Sequence, residues 1–350
     1  MENIVQEFYT DLFRSSTLVL RCSKPPIEDP SPILESEVAQ AIKNMKKETA
    51  PGSDNIPADL LRAGNAALYS VLAKHFNNYL ENGMIPDQWK KSKTILLFKK
   101  GQRGDIANYR PISLLSVVYK TFTKILLNRM RRILDDYQPV EQTGFRKNFS
   151  CVDNIQAITR LIERSHEYHL PLVLIFVNYK KAFDSVETNA VLNALTHAGI
   201  PSVYIHLLEQ CFSNTSTTIQ LFDRKLEVPI ERGVRQGDTI SPKLFTTALQ
   251  YAMSQLDWED KGYLIDGKKI SNLRFPDDIV LVANNTAEME TMVNELIVAG
   301  LKIGLEMNMS KTQLMVNQWC DAGEVNLAGS TSGFLRLSWT RAEHDEQHRF

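Results

Sequence analysis

This 350-residue chain has little of what disulfide-stapled or metal-stapled domains rely on. Its four cysteines, Cys22, Cys151, Cys211 and Cys320, stand 60 or more residues apart. That spacing excludes a CxxC zinc ribbon, gives no disulfide framework, and suits a reducing compartment best. No run of eighteen apolar residues occurs, which excludes a membrane-spanning helix of ordinary composition. The first 22 residues carry Glu2, Glu7, Asp11 and Arg14 where a signal peptide would have a basic start and an apolar block. Internal repeats and low-complexity tracts are absent too, so neither a solenoid nor an overall disordered chain is indicated. Charge of one sign is scarce overall, with a formal net charge of −1.

What is present is a chain that can bury a sizeable core, with 43% apolar and 23% charged residues, as one large domain or two to three subdomains. Its near-neutral balance hides a segregation. Between Lys90 and Arg132 stand twelve basic residues and one acid, Asp105, a local balance of +11. Such a layout is expected where one surface follows a phosphate backbone and another gathers carboxylates for a metal, although a solvated basic face gives the same pattern.

Periodicity outlines the elements. A short apolar-periodic piece (Phe8, Leu12, Phe13) and a proline-rich stretch read as a leader and linker over residues 1–36. Helical patterns follow from Ser36, from Pro57 to Asn82 with Gly83 closing, from Tyr119 to Leu134 with a cationic outer face, and from Val152 to His166. Ser92 to Phe98 reads as a strand, and Lys99 to Asp105 as a basic turn. The apolar run Pro171 to Val177 reads as a central strand covered on both faces. Helices are expected from about Glu187 to Gly199 and from Ser202, and a hairpin over Thr217 to Val228. Ser241-Pro242 opens a helix to about Leu256. Leu273 to Ala283 reads as two short strands meeting at Pro276-Asp277-Asp278, and the whole as α+β.

Asp277 and Asp278 sit between the apolar flanks Leu273/Phe275 and Ile279 to Val282. Adjacent carboxylates at such a tip repel, and a divalent cation relieves the repulsion, though an exposed Asp-Asp turn is the commoner meaning of the pair alone. The company it keeps is more specific. In order along the chain stand Ala50-Pro-Gly-Ser-Asp54, Ile95-Leu-Leu-Phe-Lys-Lys-Gly101 with Asn108-Tyr-Arg-Pro-Ile-Ser113, Gln142-Thr-Gly-Phe-Arg146, and Phe176-Val-Asn-Tyr-Lys-Lys-Ala-Phe-Asp184. Then come Arg232-Gly-Val-Arg-Gln-Gly-Asp238 with Ser241-Pro242, Phe275-Pro-Asp-Asp278, and Gly304-Leu-Glu-Met-Asn-Met-Ser-Lys-Thr312. From about residue 36 to 316 this series resembles the reverse transcriptases of non-LTR (LINE-like) retrotransposons.

The resemblance implies a right-hand polymerase with fingers and palm, an antiparallel palm sheet flanked by helices, an RNA template, a DNA primer, deoxynucleoside triphosphates and two Mg2+ ions. It divides the chain into a leader (1–36), fingers (37–165), palm (166–318) and a divergent tail (319–350), and implies no membrane association. By resemblance Asp277 and, with less support, Asp278 are metal ligands, and the Val177 carbonyl is a further oxygen donor. Lys99 and Arg110 match basic positions that clamp the triphosphate. Phe183 matches the aromatic that closes against the sugar 2′ position, and Gln236 and Gly237 match the loop lining the nucleotide pocket. Lys311 matches a lysine near the leaving pyrophosphate.

Three departures qualify the match. The family has aspartate where this chain has Asn178, so a negative charge is lost and an amide donor is gained. Asp184, six residues on, is expected at a helix start and not as a substitute. Pro276 replaces a small residue and removes a backbone donor. Beyond Val316 the resemblance stops, with no primer-gripping segment and no thumb readable. A frameshift upstream of Ser338 would explain that, because codons for Leu337 to Gln347 allow such a segment one base on. The expectation is therefore a truncated, degenerate copy working inside the cell, nuclear or cytoplasmic, whose polymerase is weak or dead. Strand nicking would come from elsewhere. The alternatives are a non-catalytic nucleic-acid-binding remnant and an unstable chain without function.

Overall fold

The computed structural model describes residues 2–23, 26, 30–221, 224–265, 267–320, 325 and 326, and the backbone of 335–339. In chain order the helices are α1 (Glu2–Phe13), α2 (Glu35–Lys43), α3 (Ala58–Arg62), α4 (Ala66–Asn82), α5 (Val117–Asp136), α6 (Cys151–Glu167), α7 (Ala182–Ser185), α8 (Thr188–His197), α9 (Ser202–Phe212), α10 (Ser241–Met253) and α11 (Thr286–Lys302). The strands are β1 (Lys91–Phe98), β2 (Tyr109–Leu114), β3 (Val173–Val177), β4 (Thr215–Leu221), β5 (Arg224–Ile230), β6 (Tyr263–Ile265), β7 (Lys268–Ile270), β8 (Asn272–Phe275), β9 (Asp278–Ala283), β10 (Gln313–Asn317) and β11 (Leu335–Trp339). No described helix is long and apolar enough to cross a membrane.

The chain divides into two compact units, each made of two stretches. The first combines Met1–Tyr137 with Phe183–Ala248, and the second Gln138–Ala182 with Leu249–Phe350. The division interleaves along the sequence, whereas the expected blocks were consecutive.

In the first unit β1 is central to a sheet ordered β2-β1-β4-β5. Its alternation buries Ser92 and Thr94 and exposes Lys91, Lys93 and Ile95, as a strand with one covered face requires. Part of the cover is α1, which falls in the stretch expected to be a leader. Its Val5, Tyr9 and Phe13 recur every four residues and pack on Ile219, Leu226 and Val228 of β4 and β5. The Pro57 to Asn82 pattern also differs from expectation, because it is two helices. The chain breaks at Gly64, and Asn65 starts α4 by accepting from the Ala67 N–H (3.1 Å), a capping role its short polar side chain suits. Helix α5 keeps its apolar face, with Phe122, Ile125, Leu126, Met130 and Leu134 buried. Its cationic face is only partly free: Arg129 is spent on a bidentate pair with Glu37 (2.8 and 2.7 Å) and on the carbonyls of Ser31 and Pro32.

In the second unit a sheet ordered β11-β10-β3-β9-β8 places β3 between two antiparallel neighbours, β10 and β9. That position explains its unbroken apolar run: four of its five residues are buried. Strand β11, in the tail expected to diverge, adds a parallel edge beside β10. The remainder of the frameshift segment, residues 340–350, lies outside the described residues.

Candidate active site

The second unit carries the carboxylates. Strand β3 runs antiparallel to β9 with Val177 opposite Ile279, so one step further Asn178 faces Asp278. The Asn178 Nδ2 donates to Asp278 Oδ1 at 3.0 Å, joining two residues 100 positions apart in sequence. The apolar run ends where the strand leaves the core: Val177 is buried, Asn178 and Asp277 are half-buried, and Asp278 is exposed. Along the other side of this end runs a segment that donates Asn308 N–H to the Asn178 carbonyl (2.7 Å) and accepts the Lys180 N–H at the Glu306 carbonyl (2.9 Å). Lys180 and Glu306 also form an ion pair. Lys311 lies three residues past that pairing, exposed, its N–H on the Asn308 carbonyl (3.1 Å). The structure thus brings Val177, Asn178, Asp277 and Asp278 to one end of a sheet, with Lys311 on the adjoining turn.

Chemically the end offers two carboxylates and a backbone carbonyl, hard oxygen donors of the kind a divalent cation takes. Asn178 works against that set. Its amide N–H already occupies one oxygen of Asp278, supplying the partial positive charge that would otherwise come from a cation. Among the described residues no group of three or more His, Cys, Asp or Glu side chains is placed to hold a metal ion. The residues present fit a divalent ion in part, with the third carboxylate missing.

The first unit carries the loop expected to line the nucleotide pocket. Val234 N–H donates to the Phe183 carbonyl (2.7 Å) and Gly233 N–H to the Val186 carbonyl (2.8 Å), zipping the loop to α7. A Cβ on Gly233 would lie 2.7 Å from the Asp184 carbonyl oxygen, so only glycine allows this approach. Gln236 turns its Nε2 onto both carboxylate oxygens of Asp184 (2.9 and 2.8 Å), while its carbonyl accepts from Ser113 N–H of β2 (2.7 Å). Gly237 follows with φ +118°, where a Cβ would sit 2.5 Å from the Ser113 carbonyl oxygen. Gly237→Ala is therefore expected to cost about 1–3 kcal/mol through left-handed strain and the clash, read as a lowered thermal midpoint. Phe183 stacks on buried Phe245, with ring centroids 4.6 Å apart and planes at 15°. Lys99 and Arg110 are both exposed at the turn end of the β1–β2 hairpin, Arg110 opposite Leu97 and the Lys99 N–H on the Asn108 carbonyl (3.0 Å).

Two residues beside or within this loop have tasks that the sequence did not reveal: Asp184, expected only as an acid at a helix start and found there, and Arg235, not singled out. Asp184 is buried in α7, where its carboxylate orients Gln236, and its nearness adds to burial in raising the pKa of the Tyr9 hydroxyl. Arg235 is buried beneath the loop, donating to the carbonyls of Trp89 and Cys211 (3.1 Å each) with its guanidinium 5.6 Å from the Tyr119 ring centre. The available signal was local: an acid directly after Phe183 and an arginine directly before Gln236.

Residues 97–340 match the family model described as reverse transcriptase (RNA-dependent DNA polymerase). The chain belongs to the reverse transcriptase family. Among curated relatives it is 29% identical over 264 residues to the retrovirus-related Pol polyprotein from the type-1 retrotransposable element R2 of Nasonia vitripennis, covering 75% of this chain and 25% of that protein. It is 27% identical over 320 residues to a putative 115 kDa protein of the type-1 element R1DM of Drosophila melanogaster (88% and 30% covered). It is also 25% identical over 256 residues to a probable RNA-directed DNA polymerase from transposon BS of the same organism (72% and 28% covered). The chain thus spans about a quarter to a third of these relatives' length and is a LINE-like reverse transcriptase domain. A solved structure of apo telomerase from Candida tropicalis, truncated from its C-terminal domain, is similar at 14% identity with a TM-score of 0.48, covering 75% of this chain and 57% of that one. The family match begins at Leu97, after the Ala50 to Asp54 motif, and runs to Thr340, past Val316 where the motif series ended. Reverse transcriptases normally use divalent metal ions.

Proposed function

We propose that this chain is the polymerase core of a LINE-like element, extending a DNA primer on an RNA template with deoxynucleoside triphosphates, and that Asn178 leaves it a weak or inactive enzyme. The observation that carries the reading is the 3.0 Å hydrogen bond from Asn178 to Asp278 at the end of β3, beside Asp277. In this reading the residues of 37–165 act as fingers and those of 166–318 as palm. Asp277, Asp278 and the Val177 carbonyl are the groups that would hold Mg2+, two ions in an intact site. When bound, the ions lower the pKa of the primer hydroxyl and neutralise phosphate charge. The chain's own residues do the placing: Lys99 and Arg110 clamp the triphosphate, Phe183 closes against the sugar 2′ position, Gln236 and Gly237 line the pocket, and Lys311 faces the leaving pyrophosphate. The test is extension of a primer annealed to RNA by the Asn178→Asp chain. Products dictated by the template and made from deoxynucleotides over ribonucleotides are expected, and addition that ignores the template would overturn the assignment.

The basic turn makes a separate expectation. Lys99, Lys100, Arg103 and Arg110 are all exposed, with Arg103 5.8 Å from the Phe98 ring centre. Replacing the four by glutamine should weaken binding to an RNA–DNA duplex. The slope of log affinity against log salt should shrink by about 0.9 for each phosphate that the chain no longer neutralises. An unchanged slope in a salt titration would show that these cations face solvent only.

A further inference from the structure

The motif Gln142-Thr-Gly144 stands out in the sequence without a task of its own. In the structure it lies along β8, the outer strand of the five-stranded sheet and the one that leads into Asp277. Arg274 N–H donates to the Glu141 carbonyl (2.8 Å), and the Arg274 carbonyl accepts from Thr143 N–H (3.1 Å), Thr143 Oγ1 (3.2 Å) and Asn154 Nδ2 (3.0 Å). Gln142 is fully buried and both ends of its amide are used: Nε2 donates to the Pro276 carbonyl (3.1 Å) and Oε1 accepts from Gly144 N–H (2.9 Å). Gly144 is needed for the fit, because a Cβ there would stand 2.9 Å from Pro276 Cα. Pro276 has no N–H to pair with the neighbouring strand, so its carbonyl is the last backbone group before Asp277.

We propose that Gln142 is a positioning residue for Asp277, holding through its side-chain amide the peptide that sets where that carboxylate points. The proposal rests on the reading of Asp277 as a metal-binding carboxylate. The tip is a two-residue turn closed by Phe275 opposite Asp278, it holds two adjacent carboxylates against their mutual repulsion, and small displacements of a catalytic group are costly. The Gln142 amide fixes the first peptide of that turn from the side away from β9. Buried Arg274 adds to the framework: burial pushes its guanidinium pKa down to about 10, against the opposing charges of Glu141 and Tyr179, and it donates to Gln250 Oε1 (2.9 Å).

The test uses the full chain carrying Asn178→Asp, with Mn2+ binding followed by electron paramagnetic resonance and primer extension measured alongside. Adding Gln142→Met, which keeps the size and removes both hydrogen bonds, is expected to weaken Mn2+ binding and lower kcat by about 10-fold or more. The KM for deoxynucleotide should stay within about 2-fold, because the nucleotide loop is untouched. Asn154→Ala, which removes a bond to the same strand two residues further from Asp277, is expected to leave Mn2+ affinity unchanged. If Gln142→Met does not fold, Gln142→Leu removes the same two hydrogen bonds with a shorter apolar chain, and the same loss is expected. Unchanged Mn2+ affinity in a folded Gln142 variant, while Asp277→Asn abolishes it, overturns the proposal alone. Unchanged affinity in Asp277→Asn overturns the reading of Asp277 and the proposal with it. Equal losses from Gln142→Met and Asn154→Ala show general loosening of the sheet and also overturn it.

Discussion

Asn178→Asp is expected to raise deoxynucleotide incorporation by at least about 10-fold over the chain as written, in a primer-extension assay with Mg2+ at equal protein concentration. The argument is one of donor chemistry. A carboxylate offers two oxygens and a full charge, whereas the asparagine amide offers one oxygen and a donor that is already bound to Asp278 at 3.0 Å. Perturbing groups that merely support metal ligands costs about 10–100-fold in affinity or activity, so losing a ligand outright costs no less. The backbone needs no change to regain it, because β3 and β9 hold residue 178 in register with residue 278. Robust synthesis by the chain as written would show that Asp277 and Asp278 suffice. No gain on Asn178→Asp would place the defect elsewhere, Pro276 being the first position to revert to a small residue.

The same substitution should couple stability to metal. In the chain as written the tip carries its own compensation, an amide donor against a carboxylate. Replacing it by aspartate deletes a hydrogen bond to a charged group, worth about 1.5–3 kcal/mol, and adds a third negative charge within a few ångströms. Solvent exposure of Asp278 reduces the repulsion, so a cost of about 1–3 kcal/mol without metal is expected. A cation at about 100 times its dissociation constant returns about 2.7 kcal/mol. The variant should therefore melt several degrees lower than the parent in a chelator, and recover in Ca2+, which tests binding without turnover. The parent's midpoint should move much less between the two conditions. Equal shifts in both proteins would mean that residue 178 does not face the ion.

Much of this architecture was legible along the chain because local physics was strong. The Val173 to Val177 run had the length and composition of a doubly covered strand, and Ser241-Pro242 had the residues a helix start favours. What misled was context. The proline-rich stretch made the first 36 residues look detached, yet the spacing of Val5, Tyr9 and Phe13 gave α1 a stripe that the sheet of β4 and β5 could cover. The twelve basic residues between Lys90 and Arg132 looked like one surface, but Arg129 was committed to Glu37 and the side chains of Lys120 and Lys124 were part-buried, which lowers their pKa values. Asp184 looked spare because its partner, Gln236, stands 52 residues away.

The residue types at the site, the swap of a carboxylate for an amide at 178, and the family were determined by the sequence by itself, since ordered motifs need no coordinates to be recognised. Only the tertiary structure decided which groups share a bond: Asn178 with Asp278, Asp184 with Gln236, Gln142 with the peptide before Asp277. Those pairings follow from strand register and from close backbone approach at Gly144 and Gly237. Both are set by the packing of segments far apart in the chain, which no local pattern encodes.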